Sequence, residues 1–320
     1  METNLPLVSV PVITYNSSKT VIETLDSVSN QTYSDIELIV SDDCSTDNTV
    51  EVCREWVEKH KERFVRTKIL VTERNTGVAA NLNRAESVCK GGWVKPIAGD
   101  DLLLPNCIKD LVDCVGTHPK ALIIIGQMQV MGGDEDFRNS FYKVLKRNFE
   151  QLSQLSHEEL YERVLEGNGI PAPAVFYSKT LLDRYGKLND ERIVFIEDWP
   201  KWIKLLRDGF FPVFLDKEVV RYRLGGISGS VVWDSLALYK DKRRIFFYYQ
   251  WDHFYNKDKE MLVEKTIEEE CRIYQELLDA KKEVRRIRTS YAYRLGKVLL
   301  LPMKILRKLR SCESGEGVGW

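Results

Sequence analysis

The sequence predicts an α/β fold: a mainly parallel mixed sheet flanked by helices, followed by a C-terminal helical extension. Three observations carry this. Short apolar runs alternate with helix-period segments from Leu7 to Ile125. Each run ends in a polar turn, and adjacent acids recur in those turns. After about Trp233 the chain turns to Glu, Lys, Leu and aromatic residues, with no Pro between Ser235 and Arg288.

Taken in order, Leu7 to Thr14 reads as a buried strand. Pro11 inside it cannot donate to a ladder, so a bulge or an unpaired position is expected there. Thr20 and Glu23 have the spacing of a capping box. Val21, Ile22, Leu25 and Val28 then recur on one helical face. Ile36 to Val40 is the second strand and runs into Ser41-Asp42-Asp43. Val50, Cys53, Trp56 and Val57 mark the second helix. Lys68 to Thr72 is the third strand and Gly77 to Val88 the third helix. Trp93 to Ile97 is a fourth strand leading into Gly99-Asp100-Asp101, with Pro105 near the next helix start. Leu122 to Ile125 reads as a central strand. The polar stretch from Gly132 to Gly167 has helical pattern and reads as an insertion over the sheet edge. Ile170 to Tyr177, Val213 to Leu215 and Val219 to Tyr222 are further strands, with a helix from Trp199 to Arg207. Trp251, Phe254 and Tyr255 are expected to pack the later helical region on the core.

The 320 residues suit one large domain with an appendage. Lys and Arg total 47 and Asp and Glu 48, so no global charge draws the chain to nucleic acid. Seven Cys without a C-x-x-C pair argue against a disulfide framework or zinc site and fit a reducing compartment. No signal peptide or spanning segment is read, so a cytoplasmic location is expected. From Tyr291 to Arg310 a cationic amphipathic segment suits the anionic cytoplasmic face of a membrane, although Pro302 kinks it. Packing on the core is the competing reading of that tail. Residues 311–320 read as disordered.

Three acidic pairs stand at strand-to-helix junctions: Asp42-Asp43, Asp100-Asp101 and Glu197-Asp198. Each alone reads equally as turn acids or a helix cap. Together they match three tasks. Ligands of open α/β sheets bind outside the carboxyl ends of the strands, where a carboxylate can hold a nucleoside. Adjacent acids near a cleft call for a cation, and Mg²⁺ or Mn²⁺ bridges to diphosphate oxygens. A third acid can take the proton of an attacking hydroxyl.

These segments, in order and spacing, resemble family 2 of the inverting glycosyltransferases, of bacterial polysaccharide-biosynthesis type. Thr14-Tyr15-Asn16 resembles its opening turn. Glu37 to Thr49, through Asp42-Asp43, resembles its nucleotide-binding segment. Asn75-Thr76-Gly77 and Asn83 resemble the loop that follows. Ala98-Gly99-Asp100-Asp101 with Pro105 resembles its metal-binding D-x-D region, and Glu197-Asp198-Trp199 with Trp202 its E-D segment. The resemblance covers Pro6 to about Ser230. It implies a Rossmann-like GT-A domain over residues 1–232, with a nucleotide-sugar half to about 130 and an acceptor half from 131. Residues 233–310 would form the helical extension. By the same resemblance Asp198, with Glu197, is the catalytic base and Asp101 binds Mn²⁺ or Mg²⁺. Thr14, Tyr15, Asn16, Asp43, Asn75, Gly77, Asn83, Asp100, Trp199 and Arg223 line the substrates. The implied reaction moves a sugar, with inversion, from a nucleotide-sugar donor to a glycan or lipid-linked acceptor in cell-surface polysaccharide or lipopolysaccharide assembly. A UDP-sugar is the expected donor, and GDP and dTDP donors stay open.

The sequence departs from the family at three points. No His follows Arg223, Leu82 stands where an Arg is usual before the loop Asn, and Pro11 is displaced within its strand. Two other classes compete. A sugar nucleotidyltransferase needs a Gly-rich basic phosphate loop, which Thr14 to Ser18 does not supply. A non-catalytic nucleotide- or glycan-binding module need not keep all three acidic pairs. A dehydrogenase is disfavoured, since no G-x-G-x-x-G follows the first strand.

Overall fold

A computed structural model describes residues 5–225, 236–250 and 260–289. The chain divides into two compact units, Met1–Asp258 and Lys259–Trp320. Residues 236–250, grouped by sequence with the extension, thus belong to the first unit.

That unit is built on a nine-stranded sheet. Its strands are β1 (Val8–Thr14), β2 (Ile36–Asp42), β3 (Arg66–Val71), β4 (Trp93–Val94), β5 (Ile97–Ala98), β6 (Leu102–Leu103), β7 (Ile123–Met131), β8 (Val175–Ser178) and β9 (Val213–Arg223). They run in the order β3-β2-β1-β4-β8-β7-β9-β6, with β5 beside β1 in line with β4. The pairings of β1, β2, β3, β4 and β5 are parallel, as is β7 with β9, while β8 and β6 run antiparallel to their neighbours. The mixed sheet is therefore as expected. Because β7 and β9 run the same way as β1, their carboxyl ends share its end of the sheet.

The helices are α1 (Val21–Ser29), α2 (Thr49–His60), α3 (Val78–Glu86), α4 (Cys107–Thr117), α5 (Glu135–Ser153), α6 (His157–Glu166), α7 (Lys179–Tyr185), α8 (Asp198–Arg207) and α9 (Leu236–Ile245). They cover both faces. Val8, Val10, Val12, Leu38 and Val40 pack with Val21, Leu25, Cys53, Trp56 and Leu111 on one side. Ile39, Ile123 and Ile125 pack with Ala85, Phe149, Leu160, Trp202 and Leu206 on the other. Successive residues of β2 and β7 thus feed opposite faces, which is why those strands read as unbroken apolar runs.

Several local expectations are corrected. Pro11 causes no bulge, since it stays in register with Ile39. On its other side, towards β4 and β5, Val10 and Pro11 have no ladder partner. The carbonyls of Ser9 and Ile13 accept from Lys95 and Gly99, so odd residues of β1 face β4 and β5. Pro11 lies midway between them and faces the break at Lys95-Pro96, where no ladder partner exists. That same break splits the expected fourth strand in two. The Thr20–Glu23 capping box does not form. The Thr20 hydroxyl donates to the Gly99 carbonyl (2.8 Å), and Glu23 pairs with Arg223 instead. Ile22 is 46% exposed, outside the buried stripe. The two strands expected within 213–222 are one, β9, with a register irregularity opposite Gln127 that absorbs their apolar gap. The helical insertion is present as α5 and α6, but α5 lies against β7, an interior strand, and not over an edge.

The second unit contains α10 (Glu260–Thr289), a helix about 45 Å long. It supplies the helical C-terminal region. No described helix is long and apolar enough to cross a membrane. Trp251, Phe254, Tyr255 and the Tyr291–Arg310 segment lie outside the described residues.

Candidate active site

The first acidic pair closes the carboxyl ends of β1 and β2. Thr14 Oγ1 donates to Asp42 Oδ2 (2.8 Å), and Ser45 donates to both Asp42 oxygens through its N–H (2.8 Å) and hydroxyl (2.6 Å). Asn16, at φ 51°, latches the facing loop, because its N–H donates to Ser45 Oγ and its Oδ1 accepts from Thr46 N–H (both 2.8 Å). Asp43 is 2% exposed. Its carboxylate accepts from Thr76 N–H (2.9 Å), Thr76 Oγ1 (2.6 Å), Gly77 N–H (2.7 Å) and Arg84 Nη2 (3.0 Å). Asn75 Oδ1 also takes the Gly77 N–H (3.0 Å), and Gly77 enters α3 at φ 87°, where a side chain would be strained. Asp43 therefore shapes the 75–77 turn. Tyr15 stands exposed above this cluster.

Arg84 is a residue the sequence reading missed. It stands one turn along α3 from Ala80, and it also reaches Ser41 Oγ (3.2 Å) and Asn81 Oδ1 (2.8 Å). Arg84, two residues after Leu82, is the cation that holds the Asp43 carboxylate. Asn83 points elsewhere, to the Asn189 backbone (2.9 Å) and Glu191 (3.1 Å). Asn81 instead reaches the Thr14 carbonyl (3.3 Å). Breaking a buried, fully bonded carboxylate is costly. Asp43→Ala is therefore expected to lower unfolding stability by about 3 kcal/mol in urea titration. An unchanged midpoint would mean the four bonds do not hold the turn.

The second pair follows β5. Gly99 packs so closely on β1 that a Cβ would meet Thr14 Cγ2 at 2.9 Å, which brings the first two clusters together. Asp101 is 2% exposed, and its Oδ1 accepts the Arg223 N–H (2.8 Å) from the end of β9. Arg223 Nε donates to the Asp100 carbonyl (2.8 Å), and its Nη2 to Glu23 (2.8 Å). Burial, with the neighbouring Asp100 charge, pushes the Asp101 carboxyl up to about 7. Burial also raises Asp100, against the pull of Arg223. Lys95, 0% exposed, spends its ammonium on the carbonyls of Pro96 (2.9 Å) and Pro173 (2.6 Å). The charges of Lys95 and Arg223 pull the Asp101 carboxyl down but do not offset its burial. Among the described residues no cluster of three or more His, Cys, Asp or Glu forms a cage. Two carboxylates suit a Mg²⁺ or Mn²⁺ whose other ligands are phosphates and water.

The third pair opens α8. Asp198 is 9% exposed, and its Oδ2 accepts from Asn168 Nδ2 (2.7 Å) in the loop after α6. Burial raises its carboxyl above the ordinary range, against the pull of Asn168 and Lys201. Burial, then the Asp198 charge, pushes Glu197 up to about 7. Asp241 of α9 accepts the N–H groups of Val194 (2.9 Å) and Phe195 (2.7 Å), fixing the approach to this pair. Trp199 turns away and donates to the Val164 carbonyl (2.6 Å), anchoring α8 to α6. A cavity of about 190 Å³ adjoins Asn168, between α5, the 168–171 loop and Gln127-Met128 of β7. Asn168, Asp241 and Lys201 carry no motif spacing, and only the fold reveals them.

The sequence profile of glycosyl transferase family 2 matches residues 9–172. GlyG of Streptococcus pneumoniae serotype 4, a glycosyltransferase, is 31% identical over 157 residues, 49% of this chain and 50% of that protein. TuaG of Bacillus subtilis, a putative teichuronic acid biosynthesis glycosyltransferase, is 25% identical over 77% of this chain and 88% of its own. Escherichia coli chondroitin synthase is 32% identical over 110 residues, and the chain spans only 15% of it. Among solved structures, Staphylococcus aureus TarS with UDP-GlcNAc aligns at TM-score 0.57 and 22% identity over 82% of this chain and 70% of that one. A Pyrobaculum calidifontis mannosyltransferase with GDP-Man and Mn²⁺ aligns at TM-score 0.57 and 18% identity over 97% and 85%. These structures bear out the GT-A-like fold.

Proposed function

Because the chain belongs to glycosyl transferase family 2, we propose that this glycosyltransferase moves a sugar from a UDP-sugar to a hydroxyl of a glycan or lipid-linked acceptor in cell-surface polysaccharide assembly. The observation that carries it is the alignment of two acidic clusters on the carboxyl ends of β1, β2 and β5, joined by Gly99, with a third buried acid on α8.

The loops of Asn16 and Thr76 would bind the nucleoside, with Asp43 and Arg84 holding their shape. Asp100 is the more exposed carboxylate of its pair, and Asp101 is already tethered to Arg223. Asp100 and the free oxygen of Asp101 are the groups that would hold Mn²⁺ or Mg²⁺. Bound there, the cation supplies Lewis-acid stabilisation of the departing diphosphate. Asp198 takes the acceptor proton as the acceptor oxygen bonds to the anomeric carbon and the sugar–phosphate bond breaks towards UDP, with inversion. The cavity of about 190 Å³ beside Asn168 lies next to the Asp198 partner and is proposed for the acceptor side.

TarS was solved with UDP and UDP-GlcNAc, and the mannosyltransferase with GDP-Man, so the base is the point to test. Calorimetry with UDP, GDP, CDP and dTDP, each with and without Mn²⁺, is expected to show tight, metal-dependent binding of UDP. Binding of GDP alone would move the donor class. Binding of none would favour a module without transfer chemistry. We further propose a cytoplasmic position and contact of the Tyr291–Arg310 segment with anionic lipid.

A further inference from the structure

Behind the Glu197-Asp198 pair lies a polar network that the proposed chemistry does not use. Lys201, one turn along α8 from Asp198, is 4% exposed on a face otherwise filled by Trp202, Leu205 and Leu206. Its ammonium contacts Asn189 Oδ1 (3.3 Å) and stands 4.9 Å from the Trp202 ring centroid and 5.7 Å from that of Tyr177. Asn189 Nδ2 faces Glu86 Oε2 (3.3 Å) and Asn83 Oδ1 (3.0 Å). The Tyr177 hydroxyl donates to Glu86. The Lys201 charge pulls down the carboxyls of Glu86 on α3, Glu197 and Asp198, while Asn168 bonds Asp198 and Asp241 of α9 adds a negative charge near Glu197.

A lysine is a poor choice for packing alone, because burying an ammonium is expensive unless it is needed as a counter-charge. We propose that Lys201 is a positioning residue for the base: fixed by Asn189 one turn along α8 from Asp198, it keeps Asp198 charged and ready to take a proton. This rests on Asp198 being the base. Burial lifts all three acids, Glu86 to about 6 and Glu197 to about 7, and Lys201 opposes the rise in each. Without it the three carboxyls would rise further, and a protonated Asp198 accepts no proton. The network also joins α8 to α3, the helix that carries Asn81 and Arg84.

The test reads the protein alone, without donor or acceptor. The full chain is labelled with ¹³C at aspartate carboxyls, and the Asp198 signal, assigned with Asp198→Asn, is followed from acid to base. Lys201→Met is expected to raise its midpoint by about one pH unit, a tenfold gain in proton affinity. Lys201→Arg should stay near the parent. Glu86→Gln, which keeps a partner for Tyr177, should lower the midpoint by relieving the competition for Lys201. A folded Lys201→Met with an unmoved midpoint overturns the proposal. If that variant fails to fold, an unmoved midpoint in Glu86→Gln overturns it equally. Should the midpoints shift as expected while Asp198→Asn still transfers sugar, the charge coupling stands and the base assignment falls.

Discussion

Asp198→Asn is expected to lower turnover by about a hundred- to ten-thousandfold and to leave nucleotide affinity nearly unchanged. The substitution is close to isosteric, and Asp198 is buried on α8. Its amide cannot accept the proton of an acceptor hydroxyl. The Asn168 amide (2.7 Å from Oδ2) would still find an oxygen after a flip of the new side chain, so the fold should persist. The donor-side clusters draw on β1, β2, β5 and β9 and do not include α8. Turnover and UDP calorimetry on the same preparation check the split. Loss of nucleotide binding together with turnover would remove Asp198 from the role of base.

Asp101→Ala is expected to lower metal-dependent nucleotide binding by a hundredfold or more, about 3 kcal/mol. The change acts twice. It removes one of the two carboxylates facing the diphosphate side, and it frees the Arg223 N–H that tethers β9 to the Asp100 loop. Comparison with Asp101→Asn separates the two effects, since the amide can still accept from Arg223 but offers the cation no charge. Equal loss in both variants assigns the effect to charge. Binding that survives in Asp101→Asn and fails in Asp101→Ala assigns it to the tether. Retention of full manganese dependence in both would exclude Asp101 from the metal site.

The sheet was legible because its strands are buried on both faces and bounded by turn residues, so Ile36–Val40 and Ile123–Ile125 could hardly be anything else. The residues at its carboxyl ends were legible because their spacing is local: Thr14 to Asn16, Asp42-Asp43 and Asp100-Asp101 each sit within one turn. What sequence missed is held by distance. Arg84 meets Asp43 across 41 positions, and Asn168 meets Asp198 across 30. Thr20 looked like a cap because Glu23 stands three residues on, yet each side chain found a better partner in a distant loop. Asn83 and Trp199, expected at the substrates, also donate to the carbonyls of Asn189 and Val164, contacts that no local spacing announces. A lysine inside a helical pattern reads as a solvated charge, and only the packing of α8 shows that Lys201 is buried.

The Arg223 tether also sets when the site can exist. Its bonds to Asp101 and Glu23 span 122 and 200 positions, among the widest separations closed in this unit. Closing such loops costs chain entropy before any contact rewards it, so these contacts are expected to form late in folding. A chain in synthesis has made Asp43, Asp100 and Asp101 long before residue 223 emerges, and until then the diphosphate side stays unassembled. On the proposed site, residues 1–130 expressed alone are therefore expected not to bind the nucleotide, because the β9 contacts to Asp100 and Asp101 are missing.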